Sequence, residues 1–92
     1  MDLEKILKSK TNLKIIKFFD QHPQCIDTAE GVSTWTGISL KTTNAALKKL
    51  IRHKIILEYK SLSTTAYAYT HDKKIATKVH NWFKSHPAKI NF

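Results

Sequence analysis

Between Gly37 and Arg52 the chain reads Gly-Ile-Ser-Leu-Lys-Thr-Thr-Asn-Ala-Ala-Leu-Lys-Lys-Leu-Ile-Arg, a stretch with two unlike sides. Ser39 is a good N-cap, because its hydroxyl can accept a hydrogen bond from an unpaired amide of the first helical turn. From there Thr43, Ala46, Leu47 and Leu50 recur at helical spacing and define one inward stripe. At about 100° per residue, Lys41, Ala45, Lys48 and Arg52 fall on the opposite side, flanked by Thr42 and Asn44. The predicted helix, over 39–53, is apolar behind and basic in front, with one small residue among the cations. A side chain as short as Ala45 lets the helix come close to whatever its basic face meets. A helix entering a DNA major groove has these properties. The bland alternative is a solvated lysine-rich face.

The 92 residues suit one compact domain, and an apolar fraction of 41% is enough for a small core without a metal or disulfide staple. Cys25 is the only cysteine, which excludes an intrachain disulfide and suits a reducing compartment. No secretory signal follows the start, and Ile55-Ile56-Leu57 is far too short an aliphatic run to span a bilayer. The expectation is a soluble cytoplasmic protein with no membrane partner.

Charge is more informative by position than in total. The formal net charge is +9, yet residues 20–40 carry Asp20, Asp27 and Glu30 with no Lys or Arg. Residues 41–60 hold five Lys and Arg52 against Glu58 alone. Such a concentration suits a polyanion, because neutralised phosphates release their condensed counterions.

Taken in order, Asp2 to Leu7 reads as a short helical turn with Leu3, Ile6 and Leu7 on one face. Ser9-Lys10-Thr11 offers a break and a new cap. From Thr11, Leu13, Ile15, Ile16, Phe18 and Phe19 predict a buried helix that stops at His22-Pro23, since the residue before proline avoids helical geometry. Gln24-Cys25-Ile26 reads as a short extended link. Asp27-Thr28-Ala29-Glu30 has the spacing of a capping box with Asp as cap, and the helix it opens is expected to bury Val32 and Trp35. Gly37 then ends that helix as a left-handed residue, which makes a helix-turn-helix with the basic helix beyond. Lys54–Lys60 and Ala66–Thr70 read as strands around the polar tip Ser61–Thr65. In a last helix Ile75, Val79, Trp82 and Phe83 share a face, and Pro87 closes it.

This order resembles the winged helix-turn-helix proteins, most closely small MarR- and ArsR-type bacterial and archaeal transcriptional regulators. Val32-Ser33-Thr34-Trp35-Thr36-Gly37-Ile38-Ser39 is similar to the family's second helix and turn, and Thr42 to Leu50 to its recognition helix. Ile55-Ile56-Leu57-Glu58 and Tyr67-Ala68-Tyr69-Thr70 resemble the two wing strands. The resemblance implies a mainly α fold with a small β-hairpin (α+β): a three-helix core, a wing and a C-terminal helix. The core would span about residues 11–83 of one domain, 1–92, with 84–92 as a tail.

The resemblance further implies that the basic helix enters the major groove of double-stranded DNA, while the wing, 59–67, touches the adjacent backbone. Ser39, Leu40, Lys41, Thr42, Asn44 and Ala45 then face bases or nearby phosphates, and Lys48, Lys49 and Arg52 supply electrostatic affinity. Three departures from the family pattern matter. Leu40 stands where a polar residue is common, Lys54 occupies the usual glycine position before the wing, and the wing tip holds no Arg or Lys. Lys60 alone lies beside that tip, so Ser61, Ser63 and Thr64 are expected to reach phosphate through hydroxyl and backbone groups. Leu3, Ile6, Leu7, Trp82, Phe83, Ile90 and Phe92 together exceed what one face usually buries, and predict a homodimer interface.

Other chemistries find little support. His22 and Cys25 make too few ligands for a metal site, and His71, His80 and His86 lack useful ligand spacing. With only Gly31 and Gly37 there is no phosphate loop, and no nucleophile–base grouping stands out, so no cofactor and no enzyme activity are expected. The expected function is sequence-specific DNA binding by a transcriptional regulator. The competing readings are a winged-helix protein-interaction module in a larger complex and an RNA-binding protein.

Overall fold

The basic helix forms where its pattern places it and organises its neighbours. In a computed structural model describing residues 3–87, the elements are α1 (Leu3–Leu7), α2 (Lys10–Gln21), β1 (Ile26–Thr28), α3 (Ala29–Thr36), α4 (Leu40–Arg52), β2 (Ile56–Lys60), β3 (Thr65–Tyr69) and α5 (Lys73–Ser85). Ser39 caps α4, its Oγ accepting from the Thr42 amide at 3.3 Å. Thr43, Ala46, Leu47 and Leu50 are all buried, as the stripe requires. At the other end Lys54 adopts φ 62°. Its amide donates to the Ile51 carbonyl and that of Ile55 to the Leu50 carbonyl, the paired bonds of a Schellman motif, with Ile55 and Leu50 both fully buried.

Left-handed geometry is unfavourable for a side chain bearing Cβ, by about 1–2 kcal/mol, whereas glycine has no such penalty but is freer when unfolded. Lys54→Gly should therefore raise stability by about 0.5–1 kcal/mol in chemical denaturation. A loss of stability would contradict the strain assigned to this residue.

The turn before α4 is held from both sides. Gly37 lies at φ 73° and its amide donates to the Ser33 carbonyl at 2.9 Å. The Ile38 carbonyl accepts from the Ser33 hydroxyl and, more distantly, from the hydroxyl of buried Thr43 at 3.5 Å. Helix α2 is longer than its sequence pattern: Ser9 caps it, accepting from the Asn12 amide, and it runs twelve residues to the His22 C-cap. The cap of α3 is Thr28, not Asp27. The Thr28 hydroxyl accepts from the Gly31 amide, while an Asp27 carboxylate oxygen accepts from the Thr28 amide at 2.8 Å.

The link before α3 is also more than a link. Residues 26–28 form a third strand, giving an antiparallel sheet of order β1-β3-β2 with Ile26 opposite Ala68 and Leu57 opposite the same residue. Ile56, Tyr67 and Tyr69 point from this sheet into the core. The α2–α4 bundle, the sheet as wing and α5 closing the body make a winged helix-turn-helix fold. Two expectations about packing fail. Trp35 does not bury with Val32 but stands 71% exposed. Ile6, Leu7, Trp82 and Phe83, expected on an interface, lie in the chain's own core with Leu3 packed against it. Helix α1 folds back to cover them, because Asn12 Nδ2 donates to the Ile6 carbonyl and Trp82 Nε1 donates to Glu4 at 2.7 Å. Ile90 and Phe92 lie outside the described residues.

Tyr69 supplies a pH dependence. Burial first, then the charge of Asp20, holds its hydroxyl above the ordinary value of 10.0. The folded state thus keeps a proton that the unfolded chain releases, so this contribution is full below pH 10.0 and is lost as pH rises further. Tyr69→Phe should flatten the alkaline decline in thermal midpoint; an unchanged decline would remove Tyr69 as its source.

Candidate nucleic-acid interface

Helix α4 turns one side fully outward. Lys41, Thr42, Asn44, Ala45, Lys48, Lys49 and Arg52 are exposed, as is Ser39 at its start, and Leu40 is 39% exposed. Among the described residues, Lys41, Lys48, Lys49 and Arg52 make no ion pair with a carboxylate of the chain. Within the described chain their charge is left to solvent, which is the condition under which binding a polyanion releases counterions. Lys41, Ala45, Lys48 and Arg52 follow at intervals of four, three and four residues along one side of the helix. The Ser39 hydroxyl donates to Thr42 Oγ1 at 2.9 Å, so the Thr42 proton stays available to donate outward.

Sequence reasoning missed the neighbour of this face. Thr42, Ala45 and Lys49 form a cleft of about 210 Å³ with Ser9, Thr11 and Asn12 at the start of α2. The legible signal was the Ser9 cap, which fixes that helix end beside α4.

The wing differs more from expectation. Lys60 sits 3.8 Å from Glu58, so part of its charge is met within the hairpin. The Ser61 hydroxyl donates to the Thr64 carbonyl at 3.0 Å and accepts from the Thr64 amide at 3.2 Å, and the Ser61 amide also donates to that carbonyl. The turn thus consumes most of what Ser61 offers to an outside acceptor. Ser63 and the Thr64 hydroxyl remain exposed, and Leu62 at the tip is fully exposed.

Elsewhere the titratable groups are scattered. Burial, then the charge of Asp27, pushes the Cys25 thiol above its ordinary value, which disfavours the thiolate a metal needs. Among the described residues no three His, Cys, Asp or Glu side chains come together as a metal site. His80 lies 3.5 Å from Asp20, and His86 stacks on Trp82 with ring centroids 4.1 Å apart. No described helix is long and apolar enough to cross a membrane.

Neither protein-family models nor curated proteins match this chain. Solved structures do. The homodimeric winged helix-turn-helix DNA-binding domain of a possible ArsR-family transcriptional regulator from Mycobacterium bovis aligns with TM-score 0.71 at 18% identity, covering 94% of this chain and 78% of that one. HlyU from Vibrio cholerae aligns with TM-score 0.71 at 14% identity, over 92% and 88% respectively. A possible transcriptional regulator from Methanosarcina mazei aligns with TM-score 0.63 at 17% identity, over 97% and 85%. At such identities the likeness establishes the winged helix-turn-helix fold.

Proposed function

We propose that this chain binds double-stranded DNA, with α4 in the major groove and the wing, 59–67, on the adjacent backbone, and acts as a transcriptional regulator. One observation carries the reading: a helix whose apolar side is sealed in the core presents four cations outward with no carboxylate partner in the described chain. The fold shared with structures described as possible transcriptional regulators supports it. In this reading Lys41, Lys48, Lys49 and Arg52 engage phosphates. Thr42 and Asn44 reach base edges, where Asn suits adenine, and Ala45 packs against a thymine methyl. Ser39 and Leu40 sit at the groove entrance, and Lys60, Ser63 and Thr64 meet the flanking backbone with a smaller contribution from Ser61.

Two copies would place two such helices about one turn of DNA apart. The Mycobacterium bovis domain is described as homodimeric, which supports the same assembly here. Because Ile6, Leu7, Trp82 and Phe83 are internal, a dimer seated on α1 and α5 would have to use the outer surfaces of those helices. Sedimentation mass tests this directly.

Titration of random-sequence duplex at two salt concentrations tests the function. Binding should weaken steeply with salt, and Lys48→Ala should weaken all sequences alike while lowering the salt slope by about one unit. Absence of salt-sensitive binding would favour a protein-interaction module, and preference for RNA over duplex DNA of equal length an RNA-binding protein. An unchanged slope in Lys48→Ala would mean that this side chain does not contact phosphate.

A further inference from the structure

The hairpin of β2 and β3 ends in an apolar side chain that the described chain leaves uncovered. Burial falls along β2 from Ile56 to the exposed Lys60 and rises again along β3 toward Tyr69, so the far half of the hairpin stands clear of the body. Its tip, residues 61–64, is exposed throughout and holds no charged side chain. Leu62 is fully exposed there, more so than any other large apolar side chain described. The tip is also held in shape. Ser61 donates to the Thr64 carbonyl through its amide, at 2.9 Å, and through its hydroxyl, and that hydroxyl accepts from the Thr64 amide. A closed turn therefore presents Leu62, with Ser61, Ser63 and Thr64 as its polar neighbours.

We propose that in the DNA complex Leu62 enters the minor groove next to the major groove that α4 occupies, and wedges against a base step, partly unstacking it. This rests on the placement of α4 and the wing proposed above. Past the strand that borders the major groove, a duplex offers apolar surface only inside the minor groove, on sugar rings and base faces. A leucine gains nothing beside a phosphate, whereas its removal from water is favourable. Wedging needs a single apolar side chain, and Leu is among those that serve in it. A protein or membrane surface is the poorer occupant, because such contacts need a contiguous apolar patch and the neighbours of Leu62 carry hydroxyls. With no cation in residues 61–64, the tip has no ammonium or guanidinium group to fill the groove instead. Because the turn is closed before binding, little freedom is lost when the tip is seated.

The probes are two duplexes of equal length. One alternates A and T, so that flexible TA steps recur whatever register the protein takes, and the other is a stiff dA·dT tract. Both carry 2-aminopurine in place of some adenines, a base that brightens when unstacked. Saturating protein should brighten the alternating duplex and leave the tract nearly dark, and should bind the alternating duplex about threefold or more tighter. Leu62→Ser, at a site exposed enough to leave the fold intact, should keep the salt slope but lose both the brightening and the preference. Leu62→Met, which keeps an apolar wedge, should retain them. Lys48→Ala should lower the slope yet still brighten the alternating duplex at saturation. Salt-sensitive binding without brightening, or brightening that survives in Leu62→Ser, would overturn the wedge while leaving α4 as the binding helix. Absence of binding to either duplex would overturn this proposal together with the placement of α4.

Discussion

Phe19→Ala is expected to cost about 3–5 kcal/mol of folding stability, while Trp35→Ala costs less than about 1.5. The two rings are linked through Phe18, edge-to-face with Phe19 at 5.1 Å and stacked on Trp35. What separates them is solvent. Phe19 is fully buried among the core side chains of α2, so truncation removes apolar burial and leaves a cavity that close-packed neighbours cannot refill. Trp35 has little area to lose beyond its stack. A domain of this size commonly has only about 5–15 kcal/mol in total, so Phe19→Ala should shift the urea midpoint far down, with the slope unchanged if two-state behaviour holds. Equal losses in the two variants would show that Trp35 is packed.

The same pair shows what the sequence does and does not reveal. Phe19 was legible because it belongs to a wide stripe whose members are all large. In α3 the inward positions are Ala29, Val32, Ser33 and Thr36, spaced as one helical face but mostly small and polar. The bulk of Trp35 draws attention to a residue beside that face. Helix α4 was readable end to end, because its buried and charged residues alternate with strong contrast and its cap is local. At Lys54 the glycine missing before the wing left two outcomes open, left-handed geometry or a different helix end, and the residue takes the first.

What stayed hidden depends on contacts between distant parts of the chain. Strand β1 is three residues long, too short to show a period, and exists because residues 66–68 pair with it. The interior place of Trp82 depends on Glu4, which lies on the first helix. Counting apolar residues on α1 and α5 made them look surplus, since no sequence pattern says that the two helices cover each other. At the wing, the number of hydroxyls was readable but not that Ser61 would close its own turn.

Replacing Lys41, Lys48 and Arg52 together by Ala should lower the slope of log affinity against log salt by about three and weaken duplex binding roughly 10²–10³-fold near 0.1 M salt. The magnitude follows from the slope: each phosphate contact contributes about 0.9 to it, which near 0.1 M is roughly eightfold in affinity. Alanine at exposed helical positions keeps or improves helix propensity, so the fold should survive and the loss can be assigned to the surface. The informative comparison is Lys73, Lys74 and Lys78 changed to Ala on α5, which removes the same formal charge from another exposed helix. If net charge alone attracted DNA, the two triple variants would lose affinity equally. If the α4 face meets the backbone at contact distance, only the first changes the slope by about three, because counterion release counts neutralised phosphates and not distant charges. Equal slopes would place the DNA elsewhere on this protein, and the winged fold would then be serving a different surface from the one its sealed helix presents.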